Sequence, residues 1–163
     1  MPEKDTSIRP TGIDLTRDEP SAILVTGGAG FIGSHLVDAL LSRYPCSTVT
    51  VLDAFTYAGN PLNLAQAGTT GRLRIVSGSV EDRSQLYQLM KPGALVLHLA
   101  AESHVPRSFL DPGLFDRVNR QGTQNVLDAA LQAGVDRVIH FSTDEVYGSR
   151  LTPANEASSF APS

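Results

Sequence analysis

The chain has 163 residues, 41% of them hydrophobic, which is enough for one core and sets one domain as the expectation. A net charge of -4 without a stripe of Lys and Arg lacks the electrostatic footprint of a nucleic-acid binder. Cys46 is the only cysteine, no run of about 18 apolar residues is long enough to span a membrane, and residues 1–20 contain no apolar run for a secretion signal, so no membrane partner and a cytoplasmic setting are expected.

Residues 1–20 mix acidic and basic side chains with three prolines and read as a flexible extension, leaving 21–163 as the folded domain. A first strand is predicted over 22–26 and a helix over 31–44, stopped by Pro45. A second strand over 48–53 and a short helical piece after Pro61 follow. The third strand covers 73–77, and a helix over 82–91 begins at the capping residue Asp82 and closes at Pro92-Gly93. Then come a strand over 94–99, a long helix over 112–133 ended by Gly134, and a fifth strand over 137–142. After Gly148 no regular pattern remains, and the tail reads as a loop cut short.

Apolar strands alternating with helices imply an α/β domain with a doubly wound parallel sheet of order 3-2-1-4-5, the Rossmann arrangement. Ligands in such a sheet bind beyond the strand C-termini. Gly27, Gly30 and Gly33 lie directly after the first strand and open the first helix, which is the context a dinucleotide cradle requires. One glycine permits the tight turn, one lets backbone N–H groups reach a pyrophosphate, and one lets helix and strand pack closely. The helix N-terminus adds roughly 0.3–1 kcal/mol for an anion. Asp53, twenty residues after Gly33, ends the second strand, where a carboxylate accepts from ribose hydroxyls and repels a 2′-phosphate. NAD is therefore expected over NADP.

Thr26 to His35, reading TGGAGFIGSH, resembles the extended short-chain dehydrogenase/reductases, which include the NAD-dependent epimerases and dehydratases. Three further segments look like the dTDP-glucose 4,6-dehydratase family: Thr56-Tyr57-Ala58-Gly59-Asn60, Ala100-Ala101-Glu102-Ser103-His104-Val105, and Ser142 to Gly148, reading STDEVYG. The resemblance covers residues 21–163, roughly the first half of such an enzyme. It implies a lyase that converts a dTDP-hexose to its 4-keto-6-deoxy form through NAD. Cofactor contacts are implied at Gly27, Gly30, Phe31, Ile32, Gly33, Asp53, Thr56, Ser79, Val80 and Ala100.

The resemblance also implies that Asp144 and Glu145 are acid and base, with Thr143 bonded to the sugar. Removing water across C5 and C6 needs a base for one carbon's proton and an acid for the other's hydroxyl. Adjacent residues inside a strand face opposite ways, so the two carboxylates share a cleft only if they lie past the strand's end. Two carboxylates this close are also expected to raise one proton affinity, which suits a protonated Asp144 beside an ionised Glu145. Substrate contacts are implied near Ser103, His104 and Arg107.

Several positions depart from that pattern. Ser79 and Val80 stand where the family has Asp and Ile, Ala54 where Lys is common, and Pro106 where His-Val-Asp-Arg-Ser has Asp. The superfamily's oxidising Tyr-x-x-x-Lys would fall a few residues beyond Ser163, so the domain reads as truncated before that helix. Tyr87 and Lys91 have the spacing, but their helix runs back toward the strand N-termini, away from a cofactor. His98 and His140 read as core residues, His35 as packing, and no metal cluster emerges. On the long helix, Leu114, Phe115, Val118, Val126, Leu127, Ala130 and Leu131 exceed one sheet-facing stripe. They suit either the family's homodimer or a core role alone. A nucleotide sugar is the implied substrate, and the fragment alone is expected to be inactive. An NAD-binding module without turnover, or a related epimerase or decarboxylase, stays open beside this reading.

Overall fold

The computed structural model describes residues 19–162. Five parallel strands, β1 (Ala22–Thr26), β2 (Thr48–Asp53), β3 (Leu73–Ser77), β4 (Leu95–His98) and β5 (Arg137–His140), lie in the order β3-β2-β1-β4-β5. That is the doubly wound order expected from the alternation of strands and helices. Most of the flexible-extension reading, residues 1–18, lies outside the described residues. At its end the Glu19 carboxylate accepts from the N–H groups of Cys46 at 2.6 Å and Ser47 at 3.0 Å.

Successive side chains of a strand face opposite sides, so each strand feeds two cores. On one side Ile23, Val25, Val49 and Val51 pack with Val37, Leu40 and Leu41 of α1 (Phe31–Arg43) and with Leu64 and Ala67, which lie in a 3-10 turn (Pro61–Leu64) and in α2 (Ala65–Gly68). On the other, Leu24, Leu52 and Val96 pack with Leu86 and Leu89 of α3 (Arg83–Leu89) and with Val126, Ala129 and Ala130 of α6 (Gly122–Ala133). Each fully buried Val or Leu contributes about 1.5–3 kcal/mol. With both faces covered, the upper ends of the strands become the place for a ligand.

The boundaries follow local chemistry. Asp82 caps α3 by accepting from the Gln85 N–H at 3.0 Å, a bond that holds its carboxyl below the usual range. Gly134 ends α6 in the left-handed region at φ 68°. α3 stops at Leu89 rather than Lys91, and β4 and β5 are shorter than expected, as frayed ends are.

Three differences are larger. α4 (Val105–Leu110), with Pro106 in its first turn, was not foreseen, because six residues with Phe109 and Leu110 exposed carry no apolar period. The long helix is continuous from α5 (Pro112–Phe115) into α6, but Asp116–Gln121 between them winds as a π-helix, which a 3.6-residue pattern does not reveal. The patternless tail closes on itself: Ala161 N–H donates to the Val146 carbonyl at 3.0 Å, and the Phe160 ring meets Tyr147 at 5.6 Å.

The surplus apolar residues of the long helix divide. Val126 and Ala130 are buried, Leu114, Phe115 and Val118 half-buried, and Leu127 and Leu131 exposed. No helix among the described residues is long and apolar enough to cross a membrane.

Candidate functional site

The glycine turn between β1 and α1 is held from three directions. Gly27 N–H donates to the Leu52 carbonyl at 2.8 Å, and the Asp53 carboxylate accepts from Ala29 N–H at 2.9 Å. The Ala29 carbonyl in turn accepts from Asn60 N–H at 3.1 Å and from Asn63 Nδ2 at 2.9 Å. The three glycines have separate tasks. Gly27 has φ +72°, and a Cβ there would lie 2.7 Å from Ala100 N. A Cβ on Gly33 would lie 2.3 Å from the Gly27 oxygen, whereas one on Gly30 meets only that oxygen, at 3.4 Å. The protein's own packing therefore requires Gly27 and Gly33, while the space beside Gly30 is left open.

Gly30 caps α1 without a side-chain bond. The N–H groups of Phe31, Ile32 and Gly33 find no acceptor among the described residues, and Phe31 and Ile32 are exposed beside them. Unsatisfied donors at a helix N-terminus next to an open glycine form an anion cradle. Asp53, buried at the end of β2, gives one oxygen to Ala29 and the other to Phe55 N–H at 2.9 Å. A carboxylate has about four acceptor sites, so two remain for hydroxyl donors. Phe55, at φ 50°, turns the chain sharply after Asp53.

Around the cradle, Ala100 N–H donates to Thr26 Oγ1 at 3.3 Å, closing the loop after β4 against β1. Thr56 is exposed on the loop after β2. Ser79 is half-buried after β3, its hydroxyl accepting from Glu81 N–H at 3.1 Å. Val80 points inward, buried in the core, and its carbonyl accepts from Asn125 Nδ2 at 3.1 Å. Only its backbone N–H is left for a ligand.

Ser103, His104 and Arg107 gather around Tyr57. The Arg107 guanidinium lies 4.8 Å from the centre of the Tyr57 ring, the His104 ring 5.9 Å away edge-on, and Ser103 N–H donates to the Tyr57 hydroxyl at 3.4 Å. Arg107 also faces the buried Glu102 carboxylate at 3.4 Å. Asn119, on the π-helical stretch, clamps Glu102 by accepting from its N–H and donating to its carbonyl, both at 2.8 Å. Thr143, Asp144 and Glu145 lie past β5, where Thr143 Oγ1 accepts from Glu145 N–H at 3.3 Å and opens a 3-10 turn (Asp144–Tyr147). All three are exposed, so both carboxylates stand on one short turn rather than on opposite faces of a strand.

Under the cradle, His98 is buried with Nδ1 2.7 Å from Thr26 Oγ1 and Nε2 3.0 Å from Thr123 Oγ1. The Thr123 hydroxyl proton goes to the Asn119 carbonyl at 2.6 Å, so Nε2–H donates to Thr123 and Thr26 donates to Nδ1. Burial, with a smaller contribution from His140, pushes the His98 pKa down to about 4. His140, expected in the core, is exposed because β5 is a sheet edge, and it stacks on His98 at 5.1 Å. His35 is exposed too and stands against Phe31 at 4.9 Å. Among the described residues no His, Cys, Asp and Glu side chains gather as metal ligands.

Lys91 lines a groove with Ala22, Thr48, Leu73 and Ala94, which are at or near the starts of the strands. Tyr87 instead receives Arg83 Nη2 at 3.3 Å, so neither member of the Tyr87/Lys91 pair joins the crevice. Asn60, Asn63, Glu102 and Asn119 were not foreseen as supports of the site. Asn60 and Glu102 stood inside the quoted motifs, but Asn63 and Asn119 had no local signal, since their partners are 34 and 17 residues away.

The pattern of the NAD dependent epimerase/dehydratase family matches residues 23–163. This chain belongs to that family. It is 51% identical over 129 residues to a dTDP-glucose 4,6-dehydratase of Streptomyces griseus, covering 78% of this chain and 39% of the relative. A dTDP-glucose 4,6-dehydratase of Actinoplanes sp. is 48% identical over 132 residues, with 78% and 41% covered. Among solved structures, the DesIV dTDP-glucose 4,6-dehydratase of Streptomyces venezuelae, with NAD and TYD bound, superposes with a TM-score of 0.80 at 48% identity, covering 86% of this chain and 45% of that one. A UDP-N-acetylglucosamine 4-epimerase of Methanobrevibacter ruminantium has a TM-score of 0.78 at 32% identity, with 89% and 45% covered. The chain thus spans about two fifths of the length of the curated relatives it matches.

Proposed function

We propose that this chain carries the NAD-binding half of a dTDP-glucose 4,6-dehydratase acting on a nucleotide sugar. The observation that carries the reading is the open cradle, with the unpartnered N–H groups of Phe31, Ile32 and Gly33 beside the buried Asp53. The cradle suits the diphosphate, and the two spare acceptor sites of Asp53 suit ribose hydroxyls but repel a 2′-phosphate. Thr56, Ser79, Val80 N–H and Ala100 flank the same edge. NAD held there would supply the acceptor for a hydride from the sugar C4 and the donor for its return at C6.

The chain's own groups supply the elimination between those events. A Glu145 carboxylate oxygen takes the C5 proton, made acidic by the ketone at C4, and a protonated Asp144 oxygen gives its proton to the departing C6 hydroxyl, which leaves as water. Thr143 orients the sugar, and Ser103, His104 and Arg107 suit the nucleotide diphosphate. An epimerase has no water to expel, and Asp144 therefore favours the dehydratase. The exposed Leu127 and Leu131 suit a homodimer, and the exposed, unpaired Cys46 suits a reducing cytoplasm.

For these residues taken alone, one feature favours binding without turnover. Lys4 and Lys91 are the only lysines of the 163 residues, and Lys91 lies at the opposite sheet edge. Calorimetric titration of the purified chain tests both statements. Saturable NAD binding, at least about tenfold tighter than NADP and with a narrower gap in Asp53→Asn, is expected. Absence of saturable NAD binding overturns the first, and keto-sugar formation by residues 1–163 overturns the second.

A further inference from the structure

Tyr57 follows β2, yet its side-chain partners follow β4, and β1 lies between those strands. The contact therefore passes across the C-terminal end of β1, where the glycine cradle begins. Tyr57 is 51% exposed, so its ring is not a core filler. Arg107 is gripped from two sides, by that ring at 4.8 Å and by Glu102 at 3.4 Å. Glu102 is itself fixed through its backbone by Asn119. A free arginine has much rotamer freedom to lose on meeting an anion, and one already held loses less. The hydroxyl contacts of Tyr57, to Ser103 N–H and Ser103 Oγ, are both 3.4 Å, long enough to part and re-form.

We propose that Tyr57 is a positioning residue that docks the loop after β2 onto the loop after β4, holding Arg107 beside the crevice so that a bound dinucleotide leaves slowly. This rests on the NAD reading of the crevice. Opening the clasp exposes the cradle without disturbing either core, because Tyr57 is a member of neither. The clasp acts on the rate of escape. Its contribution to the stability of the unliganded fold is small.

Displacement kinetics in a stopped-flow instrument, with NAD bound to the purified chain, test this. Tyr57→Leu should speed dissociation about tenfold, and Tyr57→Phe, which keeps the ring under Arg107, about threefold. Association should stay within about twofold, and the melting temperature of the unliganded variants should stay near that of the parent. A wild-type dissociation rate in folded Tyr57→Leu overturns the proposal. So does Tyr57→Phe dissociating as fast as Tyr57→Leu, or a melting loss that parallels the loss of affinity. Failure of the parent chain to bind NAD instead removes the NAD reading and the clasp with it, and the parent measurement tells the two failures apart.

Discussion

The glycine cradle and the Thr143–Glu145 turn sit at the same edge of one sheet, yet they are held very differently. The cradle's Ala29 is bonded at its N–H by Asp53 and at its carbonyl by Asn60 and Asn63, and the turn between β1 and α1 tolerates no Cβ at Gly27 or Gly33. The acid pair stands exposed on a single 3-10 turn, secured by the Thr143 cap and by the Ala161 bond to Val146. Binding geometry is thus built into the fold itself. The two carboxylates of that turn stand in solvent, and the elimination proposed for them would gain its full effect only where a surrounding wall excludes water.

The sharpest way to break this comparison is to substitute the glycines. Gly33→Ala places a methyl 2.3 Å from a backbone oxygen and should cost about 3 kcal/mol in urea unfolding, with loss of NAD binding. Gly30→Ala should change stability by less than about 1 kcal/mol while weakening NAD at least about tenfold. Equal stability losses in the two variants would show that the cradle is ordinary packing.

Acid probes the layer beneath the cradle. His98 titrates near 6.5 in the unfolded chain and at about 4 in the fold, so the unfolded state takes up a proton first. Stability from neutral His98 is complete above pH 6.5 and declines as pH falls toward 4, by about 2 kcal/mol at pH 5. Urea unfolding at pH 7 and 5 should show this component in the parent and not in His98→Gln. A parent and variant with the same pH slope would place the histidine's role elsewhere.

The smallest effect is expected at the acid pair. Asp144→Asn and Glu145→Gln, both at exposed positions, should shift stability by less than about 0.5 kcal/mol and leave NAD affinity unchanged. A loss above about 1 kcal/mol in either would mean that this turn is as firmly built as the cradle.

Much of this was readable before any coordinates. The bounds of β1, β2 and β3 follow from short β-branched runs between turn residues, and the strand order follows from the handedness of crossovers. The glycine turn was legible because its glycines and helix start are neighbours in sequence, and Asp53 because it ends the next strand at a fixed spacing after them. α4 was missed because six residues carry too little period to register, and the π-helical stretch because a wide turn changes winding without changing composition. Asp82 as a cap was legible for the opposite reason, since its partner is three residues away.

Local order of residues alone determined the alternation of strands and helices, the glycine turn, and the placement of Asp144 and Glu145 past a strand. Those features arise from steric and hydrogen-bonding preferences acting within a few residues. Tertiary structure alone decided that Asn63 holds Ala29, that Asn119 holds Glu102, that His98 is buried and neutral, and that Tyr57 reaches Arg107 across β1. Such contacts join groups 17 to 72 residues apart, and only the packing of strands into one sheet brings them within bonding range.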